Sequence, residues 1–70
     1  MAARTHKLIE LVGTSNKSIS DAIKSAVSEA GKTVRGLQWF QVEDIRGRIV
    51  DKKITQYQVT VKVGFLLERP

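Results

Sequence analysis

The clearest pattern in the chain is near its end, where Tyr57, Val59, Val61, Val63, Phe65 and Leu67 alternate with Gln56, Gln58, Thr60, Lys62, Gly64 and Leu66. A period of two places successive side chains on opposite faces of a pleated strand, so this stretch predicts a strand with one apolar side. Leu37 to Glu43 alternates as well, with Phe40 and Val42 on the apolar side and Trp39, Gln41 and Glu43 on the other. Ile45, Gly47 and Ile49 continue that apolar side only if one extra residue is absorbed near Glu43-Asp44, as a β-bulge would do. A turn at Asp51-Lys52-Lys53 joins these two strands. Lys7 to Val12 has the aliphatic, β-branched content of a further strand, stopping at the turn formers Gly13-Thr14-Ser15-Asn16.

Between the first strand and the later two the period changes. Ile19, Ala22, Ile23, Ala26, Val27, Ala30 and Val34 are spaced by threes and fours, the signature of one apolar helical face, and Lys17, Lys24, Ser25, Ser28, Glu29 and Lys32 fill the opposite face. Ser18, three residues before Asp21, fits an N-cap, Ser15 could cap an earlier start, and Gly31 and Gly36 are candidate ends. The small alanines predict a helix lying close to a sheet. A hairpin of the last two strands, with the first strand on the free edge of the third, gives an α+β fold. Its order is β-α-β-β, a three-stranded antiparallel sheet in the order 1-3-2 with one helix on one face.

Length limits what this fold can do alone. A chain of 70 residues is one domain, and alone it buries only about 60% of its unfolded surface. There are no cysteines and no His/Asp/Glu cluster at ligand spacing, so neither disulfides nor structural metal supplies the missing stability, and oligomerisation remains. The helix covers one side of the sheet and leaves Leu8, Val12, Trp39 and Leu66 facing water. Burying each aliphatic side chain is worth about 1.5 to 3 kcal/mol, so this open face is expected to turn inward in an assembly of subunits.

The start Met1-Ala2-Ala3-Arg4-Thr5-His6 lacks a signal-peptide core and no apolar run approaches the ~20 residues of a membrane span, which together predict a cytoplasmic protein without a membrane partner. The net charge of +5 is spread between acids from Arg4 to Arg69, a pattern that suits a small phosphate-bearing ligand at least as well as nucleic acid. The open face also carries Gln41, Gln56, Gln58, Thr60 and Arg46. With Trp39 as a stacking plane, Gln58 to pair with a ring edge and Arg46 to hold a phosphate, it suits a flat heteroaromatic molecule. Each residue has a plainer reading: a packing Trp, a solvated Gln, an Arg that serves solubility.

The runs Glu10-Leu11-Val12-Gly13-Thr14-Ser15, Trp39-Phe40-Gln41-Val42, Ile45-Arg46-Gly47 and Tyr57-Gln58-Val59, closed by Val63-Gly64-Phe65-x-Leu67-Glu68, resemble the bacterial dodecins along nearly the whole chain. The resemblance implies a hollow homododecamer that carries flavin pairs at its twofold interfaces and stores or shields them. It implies that Trp39 stacks on the isoalloxazine ring, that Gln58 pairs with the pyrimidine edge, and that Arg46 helps hold the side chain and phosphate, with Gln56 and Leu66 beside them. FMN is the expected cofactor. Many bacterial relatives carry Arg where this chain has Leu66, so one basic contact near the flavin is expected to be missing and riboflavin or a degradation product to compete better with FMN; relatives often carry Glu at Gln41. Some relatives bind coenzyme A at threefold interfaces, where Lys32 and Arg35 would supply charge.

Catalysis is not expected. A nucleophile with a base, a carboxylate pair or a metal cluster is missing: His6 is alone near the terminus, and Glu43 and Asp44 as strand neighbours should face opposite ways. The alternatives are a basic nucleic-acid-binding module, for which Trp39 is the sole aromatic expected on the open face, and a ligand-free structural homo-oligomer.

Overall fold

A computed structural model describes residues 3–67; Met1, Ala2 and the stretch 68–70, with the Glu68 that closes the last quoted run and Arg69, lie outside the described residues. The order is β1 (His6–Ser15), α1 (Ile19–Thr33), β2 (Leu37–Val50) and β3 (Lys53–Leu66). Both β1 and β2 pair antiparallel with β3, giving the sheet order β1-β3-β2 that the patterns predicted.

Alternation along β3 sorts the two sides of the sheet. Val59, Val61 and Val63 are fully buried with Ala22 and Ala26 of α1, and Ile9, Leu11, Ile23, Val27 and Leu37 pack around them. The alanines bring the helix in close, as their size predicts. β1 runs three residues further than expected, through Gly13-Thr14-Ser15. Gly13 is there for clearance and not for a turn, since a Cβ on it would run into the carbonyl oxygen of Ala22 and lie 2.9 Å from the Ala26 Cβ.

The turn into α1 is closed by side chains. Ser18 is the N-cap, its Oγ accepting from the Asp21 N–H at 2.9 Å. Ser15 begins no earlier helix; it is buried, donates from Oγ to Asp21 Oδ2 at 2.7 Å and accepts from the Lys17 N–H at 2.9 Å. Neither candidate glycine ends the helix. Gly31 lies inside it and Val34 is the C-cap, whose N–H donates to the Ala30 carbonyl at 3.0 Å. Gly36, at φ +77°, turns the chain into β2 instead.

The bulge appears where the phase slip put it, between Val42 and Asp44, and two further register shifts follow Leu37 and Arg48. The hairpin turn is two residues, Asp51 and Lys52 at φ 51° and 67°, and Lys53 already belongs to β3. Two positive φ values are the primed geometry that matches strand twist.

The helix covers less than expected. A helix of 15 residues is about 22 Å long, whereas strands of 14 residues reach about 46 Å. Beyond the reach of the helix, Ile49 is 70% and Ile54 62% exposed. Because the helix lies over β1 and β3, Phe40 and Ile45 on the β2 edge stay exposed as well, although their β3 partners Val63 and Val59 are buried. The lone chain bares apolar surface on both sides of its sheet.

Candidate functional site

Cross-strand pairing orders the open face into rows. At one end His6 lies opposite Leu66; next comes Leu8–Gly64–Trp39, then Glu10–Lys62–Gln41, Val12–Thr60–Asp44 and Thr14–Gln58–Arg46, with Gln56–Arg48 beyond the end of β1. All five candidate binding residues, Trp39, Arg46, Gln56, Gln58 and Leu66, stand on this face; Arg46 shares it with Trp39 because the bulge at Glu43 shifts the alternation by one residue.

The Trp39 row explains the seat of the indole. Trp39 pairs across from Gly64, and a Cβ on Gly64 would occupy the space of indole atoms Cε2 and Cζ2 and come 2.7 Å from Cδ2. The indole thus lies over the backbone of β3, where a missing side chain makes the floor. Trp39 remains 43% exposed, which leaves a plane open to a partner. Its neighbour toward β1 is His6, with ring centroids 5.0 Å apart and planes inclined by 53°. Sequence reasoning passed over both: Gly64 reads as a polar-phase position in the strand and His6 as a terminal residue. The signal for Gly64 was the absent side chain opposite a lone tryptophan.

Gln58 sits in a hydrogen-bonded string. Arg46 Nε donates to Gln58 Oε1 at 2.9 Å, and Gln58 Nε2 donates to Gln56 Oε1 at 2.9 Å. A carboxamide has two N–H groups and two lone pairs, so one of each remains for a ligand edge that carries both C=O and N–H. The guanidinium keeps its terminal nitrogens free of described hydrogen bonds.

The structure separates what the sequence grouped. Trp39 lies over Gly64, six positions along β3 from Gln58, or about 20 Å at the rise of a strand. One planar ligand cannot touch both within a single subunit. Leu66 is half-buried, so it faces water only in part; its N–H donates to the Gly36 carbonyl at 3.1 Å.

Of the carboxylates on this face, Glu43 is engaged by neighbouring side chains. The bulge at Glu43 brings Glu43 and Asp44 to the same side, against strict alternation. Glu43 accepts from the Gln41 amide at 2.9 Å and pairs with Lys62 at 3.7 Å. Among the described residues no group of three His, Cys, Asp or Glu could hold a metal ion, and no helix is long and apolar enough to cross a membrane.

Comparison with known proteins bears on this arrangement. The Dodecin family model matches residues 5–68. This chain belongs to the dodecin family. The dodecin of Thermus thermophilus is 46% identical over 65 residues, covering 93% of this chain and 94% of its own. A crystal structure of a Thermus thermophilus dodecin variant, with one arginine replaced by alanine, superposes with a TM-score of 0.93 at 44% identity, over 97% of this chain and all of the other. The structure of the Streptomyces coelicolor dodecin gives 0.93 at 40% identity, with complete coverage of both chains. The β-α-β-β order and the 1-3-2 sheet match the fold of these dodecin structures.

Proposed function

We propose that this dodecin binds flavin between subunits of a hollow homododecamer and holds it in a dark, protected state. The carrying observation is the indole of Trp39, laid over Gly64 and still 43% exposed on an otherwise apolar row. An isoalloxazine ring supplies a flat, electron-poor surface for that plane and an edge bearing both C=O and N–H for the two free positions of the Gln58 amide. Since about 20 Å separates the two residues, the indole from one subunit and the amide from another meet the same ring, and the site is complete only in the assembly. The apolar surface bared on both sides of β2 supports association in its own right.

Trp39 stacks and excludes water; its electron-rich indole can lend an electron to the excited ring and take it back, so light energy is lost as heat. Gln58 sets the ring's orientation. Arg46, anchored through Nε to Gln58, offers its terminal nitrogens to a ribityl oxygen or phosphate. Gln56 holds the Gln58 amide in place. Leu66 brings no charge, so riboflavin should lose less against FMN than it would beside a second cation. Coenzyme A at Lys32 and Arg35 has little support: Lys32 is paired with Glu29.

No catalytic role is proposed, because the titratable groups near Trp39 form neither a nucleophile–base pair nor a free carboxylate pair. The test is a titration of flavin-stripped protein with riboflavin and FMN, read by flavin emission, beside the mass of the native particle. Emission should vanish on binding to a twelve-subunit particle, and Trp39→Ala should restore it. A colourless monomer indifferent to both flavins would overturn the reading.

A further inference from the structure

His6 is the one histidine of the chain and Trp39 its one tryptophan, and the fold brings them together from strands that are not neighbours. β3 lies between β1 and β2, yet Gly64 has no side chain to stand in the way. The imidazole and the indole reach across it until their centroids are 5.0 Å apart. His6 Nε2 is 2.7 Å from Gln38 Oε1, so the imidazole directs its Nε2 proton at an amide oxygen on β2. That bond leaves Nδ1 to take or give up a proton. The imidazole can change charge without losing its anchor.

We infer that His6 is a positioning residue for Trp39, and that the charge on its imidazole sets how readily the indole gives electrons to whatever stacks on its outer plane. An imidazolium within about 6 Å of an indole is attracted to its π-electrons and polarises them. A polarised indole is a poorer electron donor, and so a weaker stacking partner for an electron-poor ring and a weaker quencher of it. Local charges leave room for this effect. On β1 the next charged side chain of the open face is Glu10, two rows away; β3 offers Lys62 and β2 Glu43, which are paired with each other. Arg35 stands in the α1–β2 link near Leu66, and Leu66 itself lies opposite His6. The hydrogen-bond partner of the imidazole among the described residues is the neutral Gln38 amide.

The consequence for flavin rests on the reading above, whereas the coupling of the two rings does not, and the experiment separates them. Flavin-free wild type and His6→Gln are compared by indole emission from about pH 8 to about pH 5, the range in which histidine side chains change charge. Wild-type emission should fall on acidification, because an imidazolium accepts an electron from an excited indole. His6→Gln, which keeps an amide able to reach Gln38, should show a flat profile. The same fall in both proteins, or none in wild type, overturns the inference. Riboflavin, which has no phosphate to confuse the charge effect, is then titrated at both ends of the range. Wild-type affinity should drop about twofold to fivefold at low pH and His6→Gln affinity should hold. An equal drop in both proteins would overturn the effect on stacking. Absence of riboflavin binding at about pH 8 would instead overturn the flavin reading, leaving the emission profiles to decide the ring coupling.

Discussion

The two ends of the β2–β3 hairpin are built from similar residues and yet live in different surroundings. At the end covered by α1, Val59, Val61 and Val63 are at most 1% exposed and lie against Ala22 and Ala26. At the other, Ile49 and Ile54 are 70% and 62% exposed, on strands that α1 does not reach. β1 stops at Ser15, opposite Tyr57, so the arm from Lys53 to Gln56 has only β2 beside it. A two-stranded ribbon is at best marginal in water. One end of the subunit therefore makes its own core, while the arm is left uncovered by the rest of its own chain.

Two substitutions would break that division from opposite sides. Gly13→Ala places a methyl group where the Ala22 carbonyl sits, and backbone cannot swing aside as a side-chain tip can. The cost should reach or exceed the ~3 kcal/mol upper range of overpacking, seen as a lowered denaturation midpoint of the subunit fold. Ile49→Asp with Ile54→Asp should leave that covered core intact and abolish assembly, since each copy forfeits about 1.5 to 3 kcal/mol per aliphatic group buried in a contact. Light scattering would show small particles with native-like circular dichroism. Large particles in the double variant would mean that the arm is not an assembly surface.

The ligand residues sharpen the same contrast. Gly64→Ala displaces the indole without touching Trp39 itself, so riboflavin binding should weaken by about 0.5 to 1.5 kcal/mol, the worth of an aromatic pair beyond its buried area, and quenching should fail with it. Gln58→Ala should cost a similar amount through one lost neutral hydrogen bond, with quenching retained. Arg46→Ala should weaken FMN more than riboflavin; equal losses, measured by titration, would limit Arg46 to bracing Gln58.

Element order, sheet order and the bulge were legible because each has a local cause: period-two alternation in β3, threes and fours in α1, a phase slip at Glu43-Asp44. The placement of Trp39, Gln58 and Arg46 on one face followed from that alternation together with the phase slip. What stayed hidden depends on length and neighbours. Alternation gives no distance along a strand, so the gap between Trp39 and Gln58 went unseen. Hydrophobic pattern marks Ile45, Ile49 and Phe40 as inward, yet only the short span of α1, for Ile49, and its seat over β1 and β3, for Phe40 and Ile45, reveal that nothing in the same subunit covers them. Gly13 read as a turn because its packing partners, Ala22 and Ala26, come from another element.

The smallest effect probes the arm alone. Asp51 and Lys52 both hold positive φ, at 51° and 67°, a region that costs a residue with a Cβ roughly 1 to 2 kcal/mol and that hairpin turns usually give to Asn or Asp followed by Gly. Lys52→Gly removes the steric cost at the second position, although glycine forfeits more backbone freedom on folding, by roughly 0.5 to 1 kcal/mol relative to alanine. The net gain should be about 0.5 kcal/mol. Because the turn is at the far tip of a ribbon outside the core, that gain should appear as slower amide exchange in the arm, while protection of Val59, Val61 and Val63 in the core stays unchanged. If the core amides slow by the same factor, the arm and the core open as one unit, and the subunit does not divide into a self-sufficient end and a dependent one.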